Sequence, residues 1–303
     1  MQLTSTRKSA IRRPRRRRRA AGGGYSLPGY LDGLELMYYV DAAESTSWTG
    51  SGNWKDLTGN DVDFTPEGSP THDDTEGGGC FLFDGTDDYF HTDHSAANAV
   101  NWSASNSNRN YSVEIWFKTF TSGTYAYSSG TNYVVSHRYP VTHSNSGDNN
   151  SYWTAYITES TSSSSRKNKV SVRKKYGGSS LATDYLSSSS NAVFTRDAWN
   201  HVVHTWDFAS TGSTGGKILY DQSGTIYASS GTMNLSDFDT VDSNASDTGP
   251  DGSLCIGGRR ENGALIGTTS MKGAIALVRQ YNKALSISEV QNIYDNEKSR
   301  FGL

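Results

Sequence analysis

Val113-Glu114-Ile115-Trp116-Phe117-Lys118 sets the fold class. Its residues 113, 115 and 117 fall two apart, so an extended chain collects Val113, Ile115 and Phe117 on one face, the period of a half-buried strand. Runs of similar length recur outward in both directions. Upstream lie Leu34 to Val40, and then Cys80-Phe81-Leu82-Phe83, which the turn signal Asp84-Gly85 separates from Tyr89-Phe90. Downstream lie Tyr133 to Ser136, Trp153 to Ile157, Val170 to Val172, Trp199 to Trp206, Lys217 to Tyr220, Leu254 to Gly258 and Gly273 to Tyr281. Glycine, serine, threonine and asparagine fill the intervals. Many short strands with turn chemistry between them predict an all-β, two-sheet antiparallel sandwich.

One helix is predicted near the C-terminus. Ser286 and Glu289 have the spacing of a capping box, and Ile287, Val290, Ile293 and Tyr294 follow at helical intervals. A lone helix after so many strands is expected to plug an open edge or end of a sheet. Apolar residues make up 34% of the chain and aromatic residues 12%, too little for a helical bundle and too many rings for a disordered chain. No run approaches the roughly 18 apolar residues of a membrane-crossing helix, so no membrane insertion is expected. Cys80 and Cys255 are too few for a disulfide framework; buried free thiols and a single inter-strand bridge both stay open.

The formal charge of −3 conceals a split. Nine of the 28 basic residues and none of the 31 acidic ones fall in residues 1–24, leaving 19 against 31 beyond them, a formal −12. Residues 1–24 read as a disordered arginine-rich arm, 25–33 as a linker and 34–303 as the sandwich. No apolar core follows the basic stretch, which argues against a secretory leader. Arg12, Arg13, Arg15, Arg16, Arg17, Arg18 and Arg19 stay charged and fork onto phosphate or carboxylate oxygens. Such an arm suits nucleic acid, with steep salt dependence and little sequence choice, or anchorage on acidic surfaces of neighbouring subunits.

Four stretches, in order, resemble the laminin-G-like jelly-roll domains of the concanavalin A-like lectin and glucanase superfamily. They are Leu36 to Asn60, with Asp41-Ala42 and Trp54-Lys55-Asp56-Leu57-Thr58-Gly59-Asn60; Gly79 to Phe90, with Phe83-Asp84-Gly85-Thr86-Asp87-Asp88-Tyr89; Val113 to Phe117 with Trp199-Asn200-His201-Val202; and Ile256-Gly257-Gly258 with Gly273 to Ser286 and the helix. The resemblance covers roughly residues 30–300 and implies a concanavalin A-like jelly roll. The Lys298-Ser299-Arg300-Phe301-Gly302-Leu303 ending is similar to that of structural proteins of marine phages and algal viruses.

Glucan-cleaving members of the superfamily carry Glu-x-Asp-x-Glu on one strand, which aligns three carboxylates for attack and proton donation. Glu114 is instead followed by Ile115, Trp116, Phe117 and Lys118, so no enzyme activity is expected. His201 and His204 are three apart and fall on opposite faces of a strand, so they cannot share a metal. The resemblance implies calcium at a sandwich rim. Asp84, Asp87 and Asp88, or Asp237, Asp239, Asp242, Asp247 and Asp251, supply hard oxygen ligands; turn-making is the competing role of the first three. Gly212 to Lys217 lacks phosphate-loop spacing and reads as a hairpin turn.

Glycan binding is the common activity of the superfamily. Trp48, Trp54, Trp102, Tyr125, Tyr127 and Tyr152 are loop or loop-edge rings able to stack on sugars. The expectation is a non-enzymatic virion structural protein, anchored by its basic arm among other capsid proteins or on genome nucleic acid, in an oligomer or larger assembly. The alternative is a glycan-binding lectin or adhesin, for example for host surface glycans, with a polysaccharide-cleaving enzyme ranked below it.

Overall fold

The structure, a computed structural model, describes residues 25–92, 110–126, 130–140, 150–159, 167–174, 182–187, 194–206, 216–222, 224–228, 254–258, 260–261, 264–265 and 270–303. The arginine-rich segment 1–24 lies outside the described residues. The strands are β1 (Leu36–Asp41), β2 (Thr65–Glu67), β3 (Thr71–Asp73), β4 (Cys80–Asp84), β5 (Tyr89–His91), β6 (Tyr111–Lys118), β7 (Gly130–Pro140), β8 (Asn150–Glu159), β9 (Lys167–Lys174), β10 (Ala182–Ser187), β11 (Trp199–Trp206), β12 (Gly216–Gln222), β13 (Thr225–Ala228), β14 (Leu254–Ile256), β15 (Arg260–Glu261), β16 (Ala264–Leu265) and β17 (Lys272–Tyr281). Among the described residues there is one α-helix, α1 (Ile287–Glu297), followed by a short 3-10 turn, Lys298–Phe301.

The strands form two antiparallel sheets and a separate β15–β16 pair. The eight-stranded sheet runs β13-β12-β11-β6-β17-β4-β3, and β1 joins β17 on the side of β4, one after the other along β17. The seven-stranded sheet runs β10-β9-β8-β7-β14-β5-β2. The protein is an all-β sandwich with one short C-terminal helix.

Alternation on β6 divides the interior in two. Val113, Ile115 and Phe117 lie in the core between the sheets, with Phe81, Phe83, Val202 and Ile275 from the same sheet and Phe90, Leu254 and Ile256 from the other. Trp116 points to the opposite face, into a second cluster with Trp199, Val203, Leu277, Val290, Ile293 and Phe301. The eight-stranded sheet is therefore buried on both faces. β17 is buried at every position from Gly273 to Tyr281, as its near-continuous apolar run requires. Gly257 packs against this core with φ +82°; an added Cβ would lie 2.3 Å from the Phe83 ring, so a side chain has no room.

The capping box forms: the Glu289 backbone N–H donates to Ser286 Oγ, and the Ser286 N–H donates to Glu289 Oε2. The helix differs from expectation in two ways. It covers the outer face of the eight-stranded sheet and reaches an edge strand at β13, where the Ile226 N–H donates to Gln291 Oε1. Ile287, counted on the apolar stripe, is exposed at the first turn, before the helix settles on the sheet. Residues 25–33, read as a linker, are packed: Leu31 is buried in the second cluster, and Tyr25, Leu27 and Tyr30 lie against it.

Candidate functional site

A network of charged groups is buried between α1 and the outer face of the eight-stranded sheet. The register pairs Glu114 on β6 with Arg279 on β17 and with Val203 on β11, which brings His201 alongside. Arg279 Nη1 donates to Glu114 Oε1 at 3.0 Å and Nη2 to Glu297 Oε1 at 2.5 Å, so one guanidinium links two carboxylates. His201 Nε2 contacts Glu114 Oε1 at 3.0 Å, and the Tyr281 hydroxyl donates to Glu114 Oε2. Trp116 Nε1 and the Tyr30 hydroxyl donate to Glu297 at 2.9 and 2.6 Å. The guanidinium also lies 4.1 Å from the centre of the Tyr39 ring. Burial alone would raise the Glu114 carboxyl; Arg279 and then His201 outweigh it and hold it at about 2.

The chain's last residues complete this layer. Arg300 forks onto Asp41 at 2.7 and 2.8 Å and donates to the Gly77 carbonyl at 2.6 Å. Phe301 stacks on Trp116 with centroids 3.9 Å apart, and Trp116 also stacks on His201 and Tyr294. Sequence reading missed this assembly. The signal was an arginine inside the apolar run of β17, facing a glutamate two positions before a tryptophan on β6.

Asp84, Asp87 and Asp88 come together at the β4–β5 turn, each with a carboxylate oxygen within 4.8 Å of the others. Two oxygens on one cation at about 2.4 Å can be no farther apart than that, so the set fits a hard divalent ion in size and in ligand type. The same groups also make the turn. Asp88 accepts the Ser69 N–H at 2.7 Å and the Asp84 N–H at 3.0 Å, and Asp84 accepts the Thr86 N–H at 2.7 Å. Burial raises the Asp88 carboxyl despite these bonds. Asp87 is the exposed member of the three.

The other predicted residues are scattered. Trp54 is a correction: it is fully buried between Phe81 and Phe90, with centroids 4.8 and 5.2 Å away, and has no free ring face for a sugar. Trp48 is partly exposed and stands edge-on to Phe81 at 4.9 Å. Tyr125 lies partly buried against the second cluster. Tyr152 is on β8. Trp102, Tyr127, the Asp237–Asp251 set and the arm arginines Arg12, Arg13, Arg15, Arg16, Arg17, Arg18 and Arg19 lie outside the described residues. Cys80 and Cys255 are buried thiols not joined in a disulfide, and burial pushes the Cys80 thiol up to about 12. His204 falls on the face opposite His201, as alternation requires, and burial lowers it to about 3.

Neither a protein-family model nor a curated protein matches this sequence. Solved structures do match. The binding domain of botulinum neurotoxin serotype G is 15% identical with a TM-score of 0.50, over 88% of this chain and 52% of that one. The likeness is one of fold. Trypanosoma rangeli sialidase in complex with sialic acid gives 15% identity and a TM-score of 0.48, over 88% of this chain and 33% of the enzyme. The CBM40 of Ruminococcus gnavus IT-sialidase, bound to α2,3-sialyllactose, gives 14% and 0.38, over 61% of this chain and 82% of that one. The chain thus spans about half of the toxin domain and a third of the sialidase. What this chain shares with the toxin domain is a β-sandwich fold.

Proposed function

We propose that this protein is a non-enzymatic, lectin-like module that binds glycans. The carrying observation is the sealing of Glu114. Most glycosidases cleave with two carboxyl groups flanking a bond at an accessible cleft. Glu114 and its neighbour Glu297 are both bound to Arg279 beneath a helix. The strand carboxylate of this sandwich is an internal tether, which leaves its surfaces to binding. The sandwich architecture supports the same reading, since the toxin neighbour is itself a binding domain. Calcium fits as a rim ion held by Asp84, Asp87 and Asp88, where it would neutralise three clustered carboxylates and steady the β4–β5 turn. A glycan array, with and without calcium, tests the reading. At least one glycan class should bind, with no reducing sugar released from any polysaccharide. Silence across the array at high protein concentration overturns it.

The charge split favours a second, compatible role: a laminin-G-like virion structural protein anchored by residues 1–24 to other capsid proteins or to the genome. The expected result of deleting that arm is a folded body that no longer joins particles. Normal assembly of the shortened chain rules the anchoring role out.

A further inference from the structure

Pairing across β7, β8, β9 and β10 fixes which residues share a face of the seven-stranded sheet. The row Val135, Ala155, Val170 is in register with Ile256 and, through it, Phe90 of the inter-sheet core, and so marks the core face. Alternation assigns the rows an odd number of positions away to the other face. One of these is Arg138-Tyr152-Arg173, with the three residues directly across from one another on β7, β8 and β9. Another is Tyr133-Tyr156-Lys169, and the row between them carries Ser136, Thr154 and Ser171. No aspartate or glutamate occupies this face on any of the four described strands, in a chain that is formally −12 beyond residue 24. Among the described elements, β12 of the facing sheet is the one that makes extended contact with β9 and β10 from outside their own sheet.

We infer that this face of β7–β10 is a binding surface for an extended acidic polysaccharide. The inference rests on the glycan-binding reading above and deepens it. Charge selects an anionic partner, because every ionisable acid is absent from the face while four cations (Lys167 is the fourth) stand on it. Two of the three cation rows also contain tyrosine, whose ring offers a flat apolar face and whose hydroxyl offers a polar edge. The serine and threonine row between them supplies short donors and acceptors for sugar hydroxyls. Spacing favours polysaccharide over nucleic acid. Arg138 and Arg173 are two strand spacings apart, about 10 Å, and Lys169 is four residues from Arg173, about 13 Å. Duplex DNA carries a charge about every 1.7 Å and is held by dense cation clusters. A sparse lattice of cations suits a chain whose acidic groups are separated by neutral sugar.

The arm would itself bind polyanions, so the test uses the full chain with Arg12, Arg13 and Arg15 to Arg19 replaced by serine. Heparin, polygalacturonate, neutral dextran and single-stranded DNA are titrated against this protein, against R138S/R173S and K169S in the same background, and against K55S as an exposed control on another part of the surface. Circular dichroism and thermal unfolding verify folding of each. The expected result is binding to at least one acidic polysaccharide, weakened tenfold or more by R138S/R173S, less by K169S and not by K55S, with a shallower salt dependence. Acidic-polysaccharide binding that these variants leave intact overturns the assignment of the face. Binding to neutral glycans alone overturns the inference but leaves the glycan reading standing. Tighter binding of DNA that the same variants abolish makes the face a nucleic-acid site and overturns it too. No glycan binding of any kind overturns both.

Discussion

The two sheets turn opposite kinds of surface outward. The outer face of the eight-stranded sheet is roofed by α1, the 3-10 turn and residues 25–34, and it encloses Arg279, Glu114 and Glu297. The outer face of the seven-stranded sheet, along β7–β10, carries arginine, lysine and tyrosine positions and no aspartate or glutamate position. Similar residue types meet different fates. Beneath the roof, charge is desolvated and must be paired, so it fixes the position of the helix. On the other sheet, the role proposed for charge is to meet a partner. Where the charges sit, rather than how many there are, separates structure from recognition here.

Removing the centre of the buried network should break the comparison hardest. Arg279→Met leaves Glu114 and Glu297 buried without their common partner, and losing one side of a buried ion pair costs about 3–5 kcal/mol. Arg279→Lys should recover only part of this, because an ammonium cannot fork between two carboxylates. Urea unfolding measures both. If Arg279→Met costs less than about 1 kcal/mol, the network does not hold the roof in place.

A smaller effect separates the roofed layer from the inter-sheet core. His204 lies on the core side of β11, and burial lowers its pKa from 6.5 to about 3. The unfolded chain takes up that proton near 6.5 and the folded chain only near 3. Between those values the unfolded state binds more protons, so stability falls as the pH drops from 6.5 toward 3, by up to about 1.4 kcal/mol per pH unit. The Glu114 contribution has a different window: its folded value of about 2 lies below the ordinary 4.5, so it is fully present above 4.5 and fades as the pH falls toward 2. His204→Leu should therefore flatten the acid limb between 6.5 and 4.5, make it shallower between 4.5 and 3, where Glu114 also titrates, and leave the limb below 3 in place. Stability profiles that coincide for the two proteins would refute the assignment.

The apolar half of this design was legible in the sequence. Val113, Ile115 and Phe117 declare a core face by period alone, and Ser286 with Glu289 declares the helix start. What did not show was how long-range pairing would use the polar residues. Glu114 reads as a departure from an enzymatic pattern, and its role depends on Arg279, which is 165 residues away. Trp54 reads as a loop ring because its neighbours are polar, yet its bridge to Phe64 draws the indole between Phe81 and Phe90. The row Arg138-Tyr152-Arg173 exists only once three strands are in register, including the irregularity between Tyr133 and Val135. Strand period is local; charge placement is set by topology.

The smallest expected effect sharpens the contrast most. R138S/R173S should shift unfolding stability by no more than about 0.5 kcal/mol per site, the range for surface positions outside buried networks. The same double variant carries the largest expected loss in acidic-polysaccharide affinity. Arg279→Met should do the reverse, with a large stability loss and no direct effect on ligand contacts at temperatures where it remains folded. Measuring both quantities on both variants gives a crossed result if one outer face supports the fold and the other serves binding. A stability loss for R138S/R173S comparable with that of Arg279→Met would mean that the β7–β10 cations are paired inside the protein. The difference between the two faces would then vanish.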